Sequence, residues 1–375
     1  MTWKARLDEL DRLAISAARG PVRAVSRDHA SMDHTHFEAA ADPMERAVAL
    51  RRSLWQLPQE LLPVLHRAYA DDAALRRIDL IPLGDAHALP WANSLGDRLR
   101  EEGIPISVRQ YPSLAAWVRA RKFSVTGSSQ PTVRPAVAYD EALNVEHLDG
   151  TSAHLPMVAL EARLSCELWE NADAQPVRLP PHGVSSVPWP PSVEASNPVQ
   201  AVIGIGHGGA PESNWARSGL WMPTWPASND PVQGDSGRYL SAMDLPHIAH
   251  AERLLMSCCV LGRTEDQLGE PLGLLALAFG FRTRMAIGSL LPVDDSEAML
   301  LSLALQWRLR QAGSQADWVE EFQTLRRDFQ KGYWPDGFEP WLQNRLGDTL
   351  PKGLPCLDEM PSRLATTADW FIALG

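Results

Sequence analysis

Apolar positions follow a helical rhythm before residue 75 and a mixed one after it. Leu7, Leu10, Ala14 and Ala17 recur at helical spacing, and Leu61, Leu62, Leu65 and Tyr69 give a later segment an apolar face. Gly20 and Pro21 break the first of these helices, while Pro43 and Pro58 stand where a first helical turn tolerates proline. From Ile78 onward, apolar runs of strand length alternate with helical ones. Strands are predicted at 78–83, 105–111, 136–140 and 177–179, with helices at 91–102, after Ser113 as a cap, and at 155–171. Pro180, Pro181, Pro188, Pro190, Pro191 and Pro198 then mark an extended loop. Two more apolar runs follow, VIGIGHGG and RLLMSCCVLG, joined by a Pro-, Gly-, Asn- and Trp-rich stretch that reads as a long functional loop. A helix at 272–280, the strand RMAIGSLL and a long amphipathic helix at 294–312 complete the pattern. Alternation of this kind predicts an α/β fold with a mostly parallel sheet and helices on both faces. The expected organisation is a small helical N-terminal region (1–74) and one α/β domain (75–375).

Chemistry concentrates where those two runs stop. One ends on His207, Gly208 and Gly209, the other on Cys258, Cys259 and Gly262. Catalytic groups of open parallel sheets collect beyond the carboxyl ends of the strands. Neighbouring strands ending in His and Cys would set a general base beside a thiol, the minimum equipment for covalent attack on a carbonyl. Gly204, Gly206 and Gly208 imitate a dinucleotide fingerprint, but no helix opens there and the spacing is wrong.

Composition narrows the classes. Hydrophobic residues make up 45% of the chain and charged residues 22%, enough for a sizeable core. A net charge of −11 argues against nucleic acid or an anionic membrane as the main partner. Four cysteines make no disulfide framework, and no C-x-x-C spacing suggests zinc. The N-terminus lacks a signal peptide's apolar stretch, and no run is long enough to span a bilayer, so a cytoplasmic protein without cofactor or metal is expected. His29, Asp33, His34 and His36 read as a solvated turn rather than a metal site.

The ordered set of motifs resembles the CHAT domain family, a branch of the caspase, metacaspase and separase peptidases. HALPWANSL, YPSL, Glu161 within MVALEARL, IGIGHGG, LLMSCCVLG, GEPLGLLALAFGFRTRMAIGSLLPVDDSEA and the terminal DWFIALG match its segments in the family's order, over about residues 75–375. The spacing from His207 to Cys259 also approaches the roughly 50 residues between the His and Cys of caspases. Departures are Cys258 where alanine is usual and Leu291 where tryptophan is usual.

The resemblance implies a cysteine endopeptidase with Cys259 as nucleophile and His207 as general base and acid. The backbone N–H groups of Gly208 and Cys259 would form the oxyanion hole. Glycine after the histidine is read as leaving room for the substrate carbonyl. By strand alternation Cys258 points to the opposite face and packs. Metacaspases carry an acidic residue where Ser257 stands here, so Ser257, Asp294 and Asp295 are the positions considered for substrate binding. Asp294 and Asp295 equally read as the acidic first turn of a helix, and Glu270 reads as structural. The expected partners are a protein substrate and a protein activator or sensor, with bacterial defence as the setting. Helix 1–19 and the loop residues Trp189, Trp215, Trp221 and Trp225 are candidate docking surfaces. A catalytically silent scaffold that binds partners, or a non-proteolytic Cys-dependent hydrolase or transferase, are the competing readings.

Overall fold

The computed structural model describes residues 61–71, 75–83, 90–124, 133–140, 143, 155–170, 175–179, 199–209, 215–222, 238–248, 251–262, 265–267, 270–291, 293–347 and 356–375. In chain order the elements begin with α1 (Leu61–Asp71), β1 (Arg77–Leu80), α2 (Trp91–Glu101), β2 (Ser107–Gln110), α3 (Leu114–Ser124), β3 (Pro135–Ala138), α4 (Val158–Trp169) and β4 (Val177–Leu179). The central stretch holds β5 (Ala201–Gly206), β6 (Gly208–Gly209), β7 (Gly219–Met222), β8 (Arg238–Ser241) and β9 (Arg253–Cys258). Then come β10 (Glu265–Gln267), β11 (Glu270–Leu272), α5 (Leu274–Ala278), β12 (Met285–Ser289), α6 (Asp295–Ala312), α7 (Trp318–Gln330), α8 (Phe338–Leu346), α9 (Met360–Asp369) and β13 (Phe371–Leu374).

Six strands form the central sheet in the order β13-β12-β9-β5-β3-β4. All pairs are parallel except β12–β13, so the fold is mixed α/β with a mostly parallel sheet. Strands β3 and β5 are buried at every position and read as continuous apolar runs because both sheet faces are covered. One face packs against α4, α6, α7 and α9 around Leu164, Leu301, Phe322 and Leu364. The other packs against α3, α5, β7 and β8 around Ala116, Leu275, Leu220 and Leu240. The β1–β2 pair lies beyond β13, where the Gly375 N–H donates to the Gln110 carbonyl at 3.0 Å. Helix α1 joins this end through Leu65, which packs in one cluster with Leu95, Leu99 and Ile106. The rest of 1–74, including helix 1–19, lies outside the described residues.

Two expectations change. Helix α6 is not amphipathic: Ser296–Gln306 are all buried, because the helix is sandwiched between the sheet and the helices α4, α7 and α9. The stretch between the two motif strands is not simply a loop. It contributes β7 and β8, which with β6 at the end of the first run form a three-stranded antiparallel sheet in which Leu220, Met222 and Leu240 are fully buried. No helix among the described residues is long and apolar enough to cross a membrane.

Candidate active site

Strands β5 and β9 end together. Their parallel register runs from Ala201 opposite Arg253 to Gly206 opposite Cys258. His207 and Cys259 are therefore the next residues on adjacent strands, whose spacing is about 4.8 Å. They share the parity of Ile205 and Ser257, which face the α4–α6 side of the sheet. The structure thus brings the His207 and Cys259 backbones to one edge of the sheet.

The two chain ends also touch. A Cβ on Gly208 would lie 2.1 Å from the Cys259 carbonyl oxygen and 2.6 Å from Leu261 Cγ. Glycine is required there for the backbone to approach Cys259, a reason other than space for a substrate. The Trp221 N–H donates to the His207 carbonyl at 2.8 Å, which makes Gly208 and Leu220 a non-hydrogen-bonded pair of the antiparallel ladder. The Gly208 N–H consequently points away from β7 and is not consumed by that strand.

Beyond Cys259 the chain turns through a strained residue. Val260 has φ +55°, the only positive value outside glycine among the described residues. For a β-branched side chain the left-handed region costs about 1–2 kcal/mol, and such strain persists only where packing over-determines it. The packing is visible two residues on. The Gly262 N–H donates to the Ser289 carbonyl at 2.7 Å, and a Cβ on Gly262 would sit 2.8 Å from the Gly288 carbonyl oxygen. This turn leaves Cys259 half-buried, with its sulfur 3.4 Å from the Val293 nitrogen and 3.8 Å from the Val293 oxygen.

An aromatic wall flanks His207. Its half-buried ring lies 6.1 Å, centroid to centroid, from Trp221. Trp221 pairs directly across the ladder with Tyr239, whose ring would be 3.4 Å from a Cβ on Gly209. The Trp215 side chain, Trp189 and Trp225 lie outside what is described, as do His29, Asp33, His34, His36 and the Glu270 side chain. No cluster among the described residues could hold a metal ion.

The remaining positions separate into packing and support. Cys258 is buried on the opposite face, among Leu220, Leu261 and Leu274. Burial first, then the neighbouring Cys259 and Glu161, pushes its thiol well above the ordinary range, so it is a poor nucleophile. Ser257 does not reach a substrate: it is 3% exposed, and its hydroxyl lies 3.0 Å from Glu161 Oε2 and 3.3 Å from the Ala298 carbonyl. Asp294 caps α6, accepting from the Ser296 and Glu297 N–H groups at 3.0 and 3.2 Å. Asp295 accepts from the Met157 N–H at 2.8 Å and so ties α6 to the start of α4. Both carboxylates accept from backbone N–H groups, as the helix-start reading expects.

Glu161 is the feature that sequence reasoning passed over, having noted only its family position. A carboxyl inside the apolar helical run VALEARL was the available signal. It is 2% exposed, and burial raises its pKa to about 8, with the Ser302 and Ser257 hydroxyls opposing the rise and nearby Asp295 adding to it. The unfolded chain releases this proton near its ordinary value of 4.5 while the folded chain keeps it to about 8. Stability from this group is therefore full below pH 4.5 and falls as pH rises through that window, by about 3 kcal/mol at pH 7. Glu161→Gln is expected to flatten this fall. In urea melts its stability relative to the natural protein should climb by about 2–3 kcal/mol between pH 5 and pH 7.5.

No family model matches the chain, and no curated protein matches it.

Proposed function

We propose that the chain is a cysteine endopeptidase of the caspase-like, CHAT type, acting on a protein partner in the cytoplasm. The observation that carries this reading is the in-register ending of β5 and β9, which makes His207 and Cys259 neighbours ahead of a strained turn. Resemblance to the CHAT motifs over residues 75–375 supports it.

In this reading the Cys259 sulfur attacks the carbonyl carbon of a peptide bond as His207 takes up the thiol proton. The carbonyl oxygen becomes an oxyanion, for which the Gly208 and Cys259 N–H groups are the donors that the resemblance implies. Collapse of the tetrahedral species breaks the C–N bond, and His207 passes its proton to the departing amine. A thioester on Cys259 remains. Water, deprotonated by His207, attacks it, releasing the new carboxyl terminus and restoring the thiol. The Trp221–Tyr239 wall beside His207 would contact the substrate chain. Activation by a separate sensor or partner, in bacterial defence, follows from the resemblance alone.

The test is to incubate the protein with a mixed peptide library and to identify new N-termini by mass spectrometry. Cleavage by the natural protein that disappears in Cys259→Ser supports the reading. Equal cleavage by Cys259→Ser overturns it, and turnover of small esters without peptide cleavage moves the assignment to a non-proteolytic hydrolase.

A further inference from the structure

Behind the proposed nucleophile lies a buried polar link that joins β9 to α4 and α6. Ser257 stands two residues before Cys259, and its hydroxyl has one proton but two acceptors within reach, Glu161 Oε2 on α4 and the Ala298 carbonyl on α6. If Glu161 were ionised, Ser257 would give that proton to the carboxylate, the stronger acceptor, and the Ala298 carbonyl would lose it. A negative charge would then stand in the core with only the Ser257 and Ser302 hydroxyls to offset its burial, and Oε1 is buried with no partner at hydrogen-bond distance among the described residues. Asp295 from α6 faces Glu161, and Cys258, on the far face of β9, is near enough to feel its charge; neither brings a positive charge. Strands β3 and β5, also packed against α4, present only apolar residues and glycine.

We propose that Glu161 is a positioning residue that works as the neutral acid. Its O–H donates to Ser257 Oγ, Ser257 donates to the Ala298 carbonyl, and this relay locks the end of β9 to α6. Both segments that hold the sulfur depend on that lock. Ser257 leads directly into Cys259, and Val293, which touches Cys259 Sγ, leads directly into α6. The neutral relay therefore fixes where Cys259 stands. Loss of the proton unlocks it and places a like charge near a thiolate, which disfavours the reactive form. This role rests on the peptidase reading for its meaning in turnover, though not for its test.

The test is the rate of iodoacetamide alkylation at Cys259, resolved from Cys356 by peptide mapping, between pH 6 and 9.5. The natural protein, Glu161→Gln and Glu161→Leu are compared, with circular dichroism confirming the fold at each pH. Glutamine keeps a donor for Ser257 and cannot ionise; leucine keeps the volume and removes the donor. In the ratio of two rates the reagent's own pH response cancels. Glu161→Gln should match the natural protein within about two-fold at pH 6.5 and outpace it by about three-fold or more at pH 9. Glu161→Leu should be altered at every pH. Superimposable profiles for the natural protein and Glu161→Gln overturn the proposal, and that comparison stands even if Glu161→Leu fails to fold. Because alkylation needs no substrate, the predicted profile without peptide turnover would sink the peptidase reading alone. Turnover with superimposed profiles would sink the positioning role alone.

Discussion

Peptide cleavage is expected to fall by about 10²–10⁴-fold in His207→Ala, the contribution typical of a positioned acid–base group. In Cys259→Ala it should fall to background, because no covalent intermediate can form. The two losses should not add, since base and nucleophile act as one unit, and the double variant should resemble Cys259→Ala. Cys258 offers no rescue. Its sulfur is buried on the opposite face of the sheet, and burial holds its thiol protonated. Cys258→Ala is accordingly expected to keep turnover within a few-fold while losing some core packing, about 1 kcal/mol on the scale of a small cavity. Initial rates on one cleaved peptide, taken for all four variants, check the pattern. A Cys258→Ala variant as inactive as Cys259→Ala would contradict the assignment.

The largest expected effect on stability lies elsewhere, at Arg326. This guanidinium on α7 is 2% exposed and joins three elements: it pairs with Asp97 of α2 at 3.0 Å, bonds Gln323 at 2.8 Å and contacts Asp369 of α9. Burial lowers its pKa, and the Asp97 carboxylate beside it pulls the value back up. Arg326→Leu would strand the Asp369 carboxyl, itself 4% exposed, without its counter-charge. Breaking one side of a buried pair costs about 3–5 kcal/mol, whereas replacing both sides with apolar groups costs far less. Arg326→Leu should therefore lower the urea midpoint strongly, and Arg326→Leu with Asp369→Leu should recover part of the loss. An unchanged midpoint in the single variant would show that water reaches Asp369 and that the pair is not the tie described here.

Much of the scaffold could be read from residue order, for physical reasons that can be named. VIGIG, and LLM within RLLMSC, are apolar runs because parallel strands in the middle of a sheet are buried on both faces. The bounds of α6 were close to those expected at 294–312: Asp294 of the acidic first turn caps it, and it stops at Ala312, before Gly313 at φ +81°. What stayed hidden depends on partners distant in sequence. Strands β7 and β8 are four residues each and exist through pairing with one another and with Gly208–Gly209, so no local period announces them. The burial of α6 on all sides is set by α4, α7 and α9, not by its own sequence. Ser257, Asp294 and Asp295 looked available for substrate because polarity alone does not say what a side chain touches; each already has a hydrogen-bond partner within the fold. Gly208 was read as leaving room for a substrate carbonyl; in the structure the group that a side chain there would strike is the Cys259 carbonyl. Val260 could not be foreseen at all, since a valine in left-handed backbone runs against its own preference.

The central claim is that the Cys259 sulfur acts together with His207. Its most direct test is labelling by a mixture of peptidyl vinyl sulfones that differ in the side chain next to the electrophile, followed by peptide mapping. The account predicts one adduct per chain, on Cys259, formed far faster than on the exposed Cys356 and slowed by about 10²-fold or more in His207→Ala. Equal labelling of Cys259 and Cys356, or a Cys259 rate indifferent to His207, would contradict it and leave the sheet edge as a binding surface without this chemistry.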